Sequence, residues 1–243
     1  MNPAASQPGA SGKPLAVITG VGAGTGSALV RRFHRGGYRV AMLARRADRM
    51  QALAQECPDA FAVPCDVSDD AALAANLAHI ADVAGPPSVV VHNAVGGAFG
   101  NFLAIDPAVL NANFQVNVMA LLHLARWAAP QMQAAGTDAI MVTGNTASQR
   151  GRANFAGFAP TKAAQRILAE SMARELGPQG IHVAYMLIDA VIDVPWARKR
   201  YPEQPDDFFI RPADIADELW HVAHQPCSAW SFLTEVRPFN ERW

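Results

Sequence analysis

Thr19-Gly20-Val21-Gly22-Ala23-Gly24-Thr25-Gly26 is the stretch whose reading decides the fold. The apolar run Leu15–Ile18 leads into it, and the alternating run Ser27–Phe33 leads out. Strand, glycine turn, helix is the geometry that cradles a phosphate. Glycines let the main chain come close, and the start of the next helix offers unpaired N–H groups to an anion. A lone glycine motif is a weak signal. This one gains weight because it follows a predicted strand and opens a predicted helix.

Working outward, apolar strands alternate with amphipathic helices. Leu15–Thr19, Arg39–Leu43, Ala60–Cys65, Ser88–His92, Ala139–Thr143, His182–Ile188 and Ser231–Val236 read as strands. Gly24–Arg35, Ala47–Gln55, Asp70–Val83, Pro107–Gln133, Pro160–Leu176 and Asp214–His224 read as helices. Ser68 or Asp69 can cap the third of these, and Gly36-Gly37 stops the first. Such alternation predicts an α/β fold, a doubly wound parallel sheet with helices on both faces. No repeat and no domain-scale linker interrupts it. One domain is expected over residues 14–243, after a small, polar, Pro/Gly-rich leader at 1–13.

Bulk properties exclude several function classes. The chain has 243 residues, 51% hydrophobic and 17% charged, which suits a single large globular core. Its net charge of -1 provides no basic field for nucleic acid or an acidic membrane. Cys57, Cys65 and Cys227 lack metal or redox spacing and suit a reducing cytoplasm. His221 and His224 have no acids at ligand spacing, so no metal site is expected. No uninterrupted apolar run is long enough to span a membrane.

The end of the second strand discriminates between dinucleotides. An acid there would bind the ribose hydroxyls of NAD and repel a 2′-phosphate. This chain has Ala44, then Arg45 and Arg46, two guanidiniums suited to a phosphate, so NADP(H) is favoured over NAD(H). Asp66, after the third strand, suits either an adenine amino group or a helix cap.

These features together resemble the short-chain dehydrogenase/reductase family. The matching residues are Thr19-Gly20-x-x-x-Gly24-x-Gly26, Cys65-Asp66-Val67, His92-Asn93-Ala94, Asn117, Lys162, Met172–Gly177 and Gly180–Val183, within about residues 14–200. The resemblance implies a Rossmann-type parallel sheet of about seven strands, a nicotinamide cofactor, a small-molecule substrate, and a homo-tetramer or homo-dimer paired through the two long helices. It places the pyrophosphate on Gly20, Gly24 and Gly26, adenine near Asp66 and Val67, and the nicotinamide-side ribose by Asn93 and Ala94; Thr25, in the same turn, is a further cofactor-binding candidate. The family usually continues Asn-Ala-Gly; here Val95 intervenes before Gly96-Gly97.

The chemical end departs from the family. A carbonyl accepting hydride needs a proton donor in hydrogen-bond reach. The family uses a tyrosine one helical turn before a lysine that lowers its pKa and holds the ribose. Lys162 is that lysine, but Phe158 stands where the tyrosine should be, and a phenyl ring has no ionisable proton. Tyr38, Tyr185 and Tyr201 are poorly placed to replace it. The family's carbonyl-polarising serine falls at Asn145, with Thr146 beside it, and both can still donate a hydrogen bond. Asn117 matches the asparagine that positions a proton-relay water. Asp189 replaces the usual Pro-Gly region beside the nicotinamide and is either an acid–base group or a turn-forming residue. The segment 195–211 is expected to be a substrate lid, and the tail Phe239–Trp243 a subunit contact.

Overall fold

The computed structural model describes residues 12–135 and 138–241. The expected leader thus lies outside the described residues except for Gly12 and Lys13, as do Arg242 and Trp243 of the tail.

In chain order the elements are β1 (Leu15–Thr19), α1 (Thr25–Arg35), β2 (Arg39–Ala44), α2 (Ala47–Glu56), β3 (Ala60–Pro64), α3 (Asp70–Ala84), β4 (Val89–His92), α4 (Pro107–Phe114), α5 (Ala120–Ala135), β5 (Asp138–Asn145), α6 (Ala159–Leu176), β6 (Ile181–Ile188), β7 (Val191–Ile192), α7 (Pro195–Arg200), β8 (Phe209–Ile210), α8 (Pro212–Ala223) and β9 (Leu233–Val236). The main sheet has seven parallel strands in the order β3-β2-β1-β4-β5-β6-β9. This is the doubly wound Rossmann arrangement. Strand order reverses between β1 and β4, and the crevice outside their C-terminal ends is where such sheets bind ligands.

The period of two in the strands sorts their side chains between two layers. Leu15 and Val17 of β1 pack with α3, α5 and α6; Ala16 and Ile18 pack with α1, α2 and α8. Both strand faces are therefore apolar, which is why β4 reads as an unbroken Val-Val-Val run.

Three details refine the sequence reading. Asp69, not Ser68 or Asp66, caps α3: its carboxylate accepts from the Ala72 N–H at 3.0 Å. The predicted helix Pro107–Gln133 is continuous, but a π turn at Gln115–Met119 joins α4 to α5. By length and composition this helix could cross a membrane, with a mean hydropathy of 1.2. Leu121, Leu124, Ala128 and Met132 are instead fully buried in the core. Finally, the segment 195–211 is built rather than irregular. It holds α7 and β8, and β8 pairs with β7 in a small parallel sheet. Arg198 pins it, bonding both oxygens of Asp193 at 2.7 and 2.8 Å and Asp206 at 2.7 Å, while stacking on Phe209.

Candidate functional site

The glycine turn runs from the C-terminal end of β1 to the start of α1. Gly20 has φ +71°, a conformation that suits glycine, and a Cβ there would lie 2.5 Å from the Ala94 nitrogen. A Cβ on Gly26 would lie 2.3 Å from the Gly20 carbonyl oxygen. These two glycines thus let β1, α1 and the end of β4 meet. Thr19 locks that junction: its hydroxyl accepts from the Asn93 and Ala94 N–H groups, both at 3.2 Å, and pairs with His92 Nδ1 at 3.1 Å.

Beside this junction opens a cleft of about 1110 Å³. Its walls include Gly20, Gly24, Thr25, Gly26, Arg45, Arg46, Asp66, Val67, Asn93 and Ala94. All the cofactor contacts expected from sequence except Lys162 and Asp189 are brought together here. Thr25 Oγ1, at the start of α1, is buried and has no hydrogen-bond partner among the described residues. Arg45 and Arg46 are exposed and have no carboxylate ion pair among the described residues. Asp66 accepts from the Ser68 hydroxyl at 2.7 Å and its N–H at 3.0 Å. Those bonds, with the Arg45 charge, hold its carboxyl below the usual range. Asn93 ties strand ends together: Nδ2 donates to the Gly20 carbonyl at 2.9 Å and Oδ1 accepts from Thr143 at 3.1 Å. A buried hydroxyl without a partner, a cradle kept clear of Cβ atoms and two exposed guanidiniums without an ion pair among the described residues fit a phosphorylated dinucleotide.

The chemical residues behave differently. None of Asn117, Asn145, Thr146, Phe158 or Lys162 lines this cleft. Lys162 is buried, and its Nζ donates to the Thr143 carbonyl at 3.1 Å and to Gln165 Oε1. Burial pushes its pKa down to about 7. The Asn117 amide is fully engaged: it brackets Gly96, accepting from its N–H at 3.0 Å and donating to its carbonyl at 2.7 Å, and donates to Thr161 Oγ1 at 2.8 Å. Asn145 Oδ1 accepts from the Ala147 N–H at 3.1 Å, capping a short 3-10 turn that begins at Thr146. Asp189 follows β6 directly, its N–H bonded to the Val236 carbonyl at 2.9 Å, and no turn amide bonds its carboxylate among the described residues. His92 is buried and neutral, driven down to about 3 by desolvation, and its Nε2 meets the Val116 carbonyl at 3.1 Å.

Phe158 is a partition. Its ring touches Gly97 on the cleft wall, at a distance where a Cβ on Gly97 would lie 3.3 Å away. It also packs with Ala147, Ala159 and Phe155, which line a second cavity of about 640 Å³ together with Arg150 and Arg152. Phe99 lies edge-on to Phe155 at 5.0 Å and tilted to Phe158 at 5.6 Å. Tyr185 lines neither of these cavities. It is fully buried against Gly144, and desolvation pushes it up to about 12.

Arg49 and Val194, to which the sequence gave no pointer, also join the cleft wall, as does Trp196 of the expected lid segment, with 66% of its surface exposed. Asn113 donates to the Gly157 carbonyl at 2.7 Å, steadying the approach to Phe158. Asn113 and Asn117 stand one turn apart in a helix otherwise apolar on that face, a signal the sequence carried.

A family model described as short chain dehydrogenase matches residues 14–203. The chain is 36% identical over 170 residues to D-erythrulose reductase of Gallus gallus, covering 69% of this chain and 67% of that one. It is 32% identical over 169 residues to L-xylulose reductase of Bos taurus, covering 69% and 68%. Among solved structures, a metagenomic short-chain oxidoreductase in complex with NADP superposes with a TM-score of 0.81 at 29% identity, covering 93% of this chain and 97% of that one.

Proposed function

The chain belongs to the short-chain dehydrogenase family, and on that premise we propose that it is an NADP(H)-dependent oxidoreductase acting on the carbonyl or alcohol of a small molecule, with acid–base chemistry that does not use a tyrosine. The observation that carries this reading is the cleft beside Gly20. There the phosphate cradle, the unpartnered Thr25 hydroxyl and the unpaired Arg45 and Arg46 share one wall. Gly20, Gly24, Thr25 and Gly26 would hold the pyrophosphate, Arg45 and Arg46 the 2′-phosphate. Asp66 and Val67 would face adenine, and Asn93 and Ala94 the second ribose. The NADP in a structural relative supports the same choice.

When bound, the cofactor supplies a hydride. The chain's own residues must then orient the acceptor and provide a proton. The Asn145 amide and the Thr146 hydroxyl are donors for a carbonyl oxygen; Asp189 or solvent supplies the proton. Phe99, Phe155 and Phe158 favour an acceptor with an apolar face over a bare polyol. Trp196 on the cleft wall supports a specificity role for the segment 195–211. Pairing of copies through the long helices, and residence in a reducing interior, belong to the same proposal. A second reading, a cofactor-binding homologue without turnover, is favoured by the inward Lys162 and the proton-free Phe158.

Isothermal titration decides the cofactor question. NADPH binds more tightly than NADH, and Arg45→Ala with Arg46→Ala removes the preference, by roughly 10- to 100-fold for charge-assisted bonds. The reverse preference, or no binding of either dinucleotide, overturns the proposal.

A further inference from the structure

Gln165 is fully buried on α6, one turn beyond Lys162. A buried amide needs both of its ends satisfied. Here the two ends join two different parts of the site. Oε1 accepts from Lys162 Nζ, and Nε2 donates to the Asn117 main-chain carbonyl at 2.9 Å. That carbonyl sits in the π turn, where the Ala120 N–H reaches back to the Gln115 carbonyl and the ordinary helical ladder is displaced.

We propose that Gln165 is a positioning residue of this site: its amide bridges the Lys162 ammonium to the Asn117 carbonyl and fixes where the ammonium stands and aims. The inference rests on the reading that the adjacent cleft takes NADP(H). An ammonium has three donors. One goes to the Thr143 carbonyl and one to Gln165, and these two bonds fix the direction of the third. Thr143 in turn bonds Asn93, and Asn93 bonds Gly20. The amide therefore closes a bonded path from the π turn through Lys162 to the glycine turn.

The surroundings leave Gln165 as the main adjustable partner. From β4, His92 faces the ammonium but is neutral throughout the physiological range. From β5 comes the Thr143 carbonyl, and from the π turn the Asn117 carbonyl through Gln165. On β6, Tyr185 lies beside Ser148 and Arg166 instead. Among the described residues no carboxylate pairs with Lys162. Burial already weakens the ammonium's hold on its proton. An acceptor oxygen at this spot favours the charged form, so its removal must be felt there.

The test follows the Lys162 Cε–Hε signal by NMR between about pH 6 and about pH 9, its assignment fixed by loss of the signal in Lys162→Arg. Gln165→Met keeps the volume and removes both bonds; Gln165→Glu keeps the acceptor and adds a charge. The Lys162 midpoint falls about tenfold in proton affinity in Gln165→Met and rises by at least as much in Gln165→Glu. In parallel, NADPH affinity of Gln165→Met drops about tenfold at neutral pH, while its NADPH-over-NADH preference is kept. Wild-type midpoints in variants with wild-type thermal unfolding overturn the proposal. If Gln165→Met fails to fold, the Gln165→Glu midpoint decides alone. Should the midpoints shift while the wild-type protein binds no dinucleotide, the positioning role holds and the cofactor reading falls.

Discussion

The two halves of the sheet's C-terminal edge handle their polar groups in opposite ways. Over β1 and β2, polar groups at the cleft have no hydrogen-bond or ion-pair partner among the described residues: the Thr25 hydroxyl and the Arg45 and Arg46 guanidiniums. Over β4, β5 and α6, the polar groups turn inward and bind one another. Asn117 takes Gly96 and Thr161, Lys162 takes Thr143 and Gln165, and Asn145 takes Ala147. A buried polar group without a partner costs stability, whereas the exposed guanidiniums are solvated, so the proposed cofactor would complete the Thr25 hydroxyl and meet Arg45 and Arg46. In the second half Asn117, Asn145 and Lys162 serve as internal connections, with the apolar Phe158 ring among them.

Restoring the phenol is the strongest way to break that contrast. Phe158→Tyr puts an ionisable hydroxyl on the partition between cleft and second cavity, one turn from Lys162. A positioned general acid contributes about 10²–10⁴-fold. Carbonyl reduction by NADPH, followed at its absorbance over a broad panel of ketones and aldehydes, should rise by that order. A folded variant with unchanged turnover would show that the inward set of Lys162, not the missing proton, limits the site.

The opposite half is tested through Gly26→Ala. The new Cβ would stand 2.3 Å from the Gly20 carbonyl, main chain against main chain, so the cradle must shift. Overpacking of this kind costs about 1–3 kcal/mol. NADPH affinity measured by titration should fall roughly 10- to 100-fold, with secondary structure intact by circular dichroism. Full-strength binding would mean the cradle is not where the phosphates sit.

What was legible in the sequence follows the same division. The glycine turn, the alternating strands and the arginines after β2 report local geometry, and local geometry is set by nearby residues. The strands of the seven-stranded sheet, from Leu15 to Val236, were therefore readable, and so was the grouping of the glycine turn with Arg45 and Arg46 at one end of it. That a phenylalanine, Phe158, stands one turn before Lys162 was equally plain. The direction in which Lys162 points was not, because it depends on Gln165, on the Thr143 carbonyl and on a π turn far away in the chain. A glutamine amid apolar positions of α6 was the one available hint. The order within 195–211 was missed for a similar reason. Its anchor is Arg198 reaching back to Asp193, an ion pair that composition does not reveal.

A buried unpartnered oxygen marks a ligand site only where a cleft reaches it, and Asp138 sharpens that point. It begins β5, at the opposite end of the strand from Asn145. Asp138 Oδ2 is buried without a partner among the described residues, like Thr25 Oγ1, yet it lies on neither cavity wall. Desolvation raises its carboxyl from 3.8 to about 6. Between those values the folded chain holds a proton that the unfolded chain has released. The resulting stabilisation is complete below pH 3.8 and is lost as pH rises through about 6. At neutral pH the ionised group is a net cost. Asp138→Asn should therefore raise unfolding stability above pH 6 by about 1–3 kcal/mol, with the gain vanishing toward pH 4. Denaturant unfolding at the two pH values reads the difference, and NADPH affinity should not move. A loss of affinity in Asp138→Asn would mean that the contrast between open and inward-bonded groups does not stop at the C-terminal edge of the sheet.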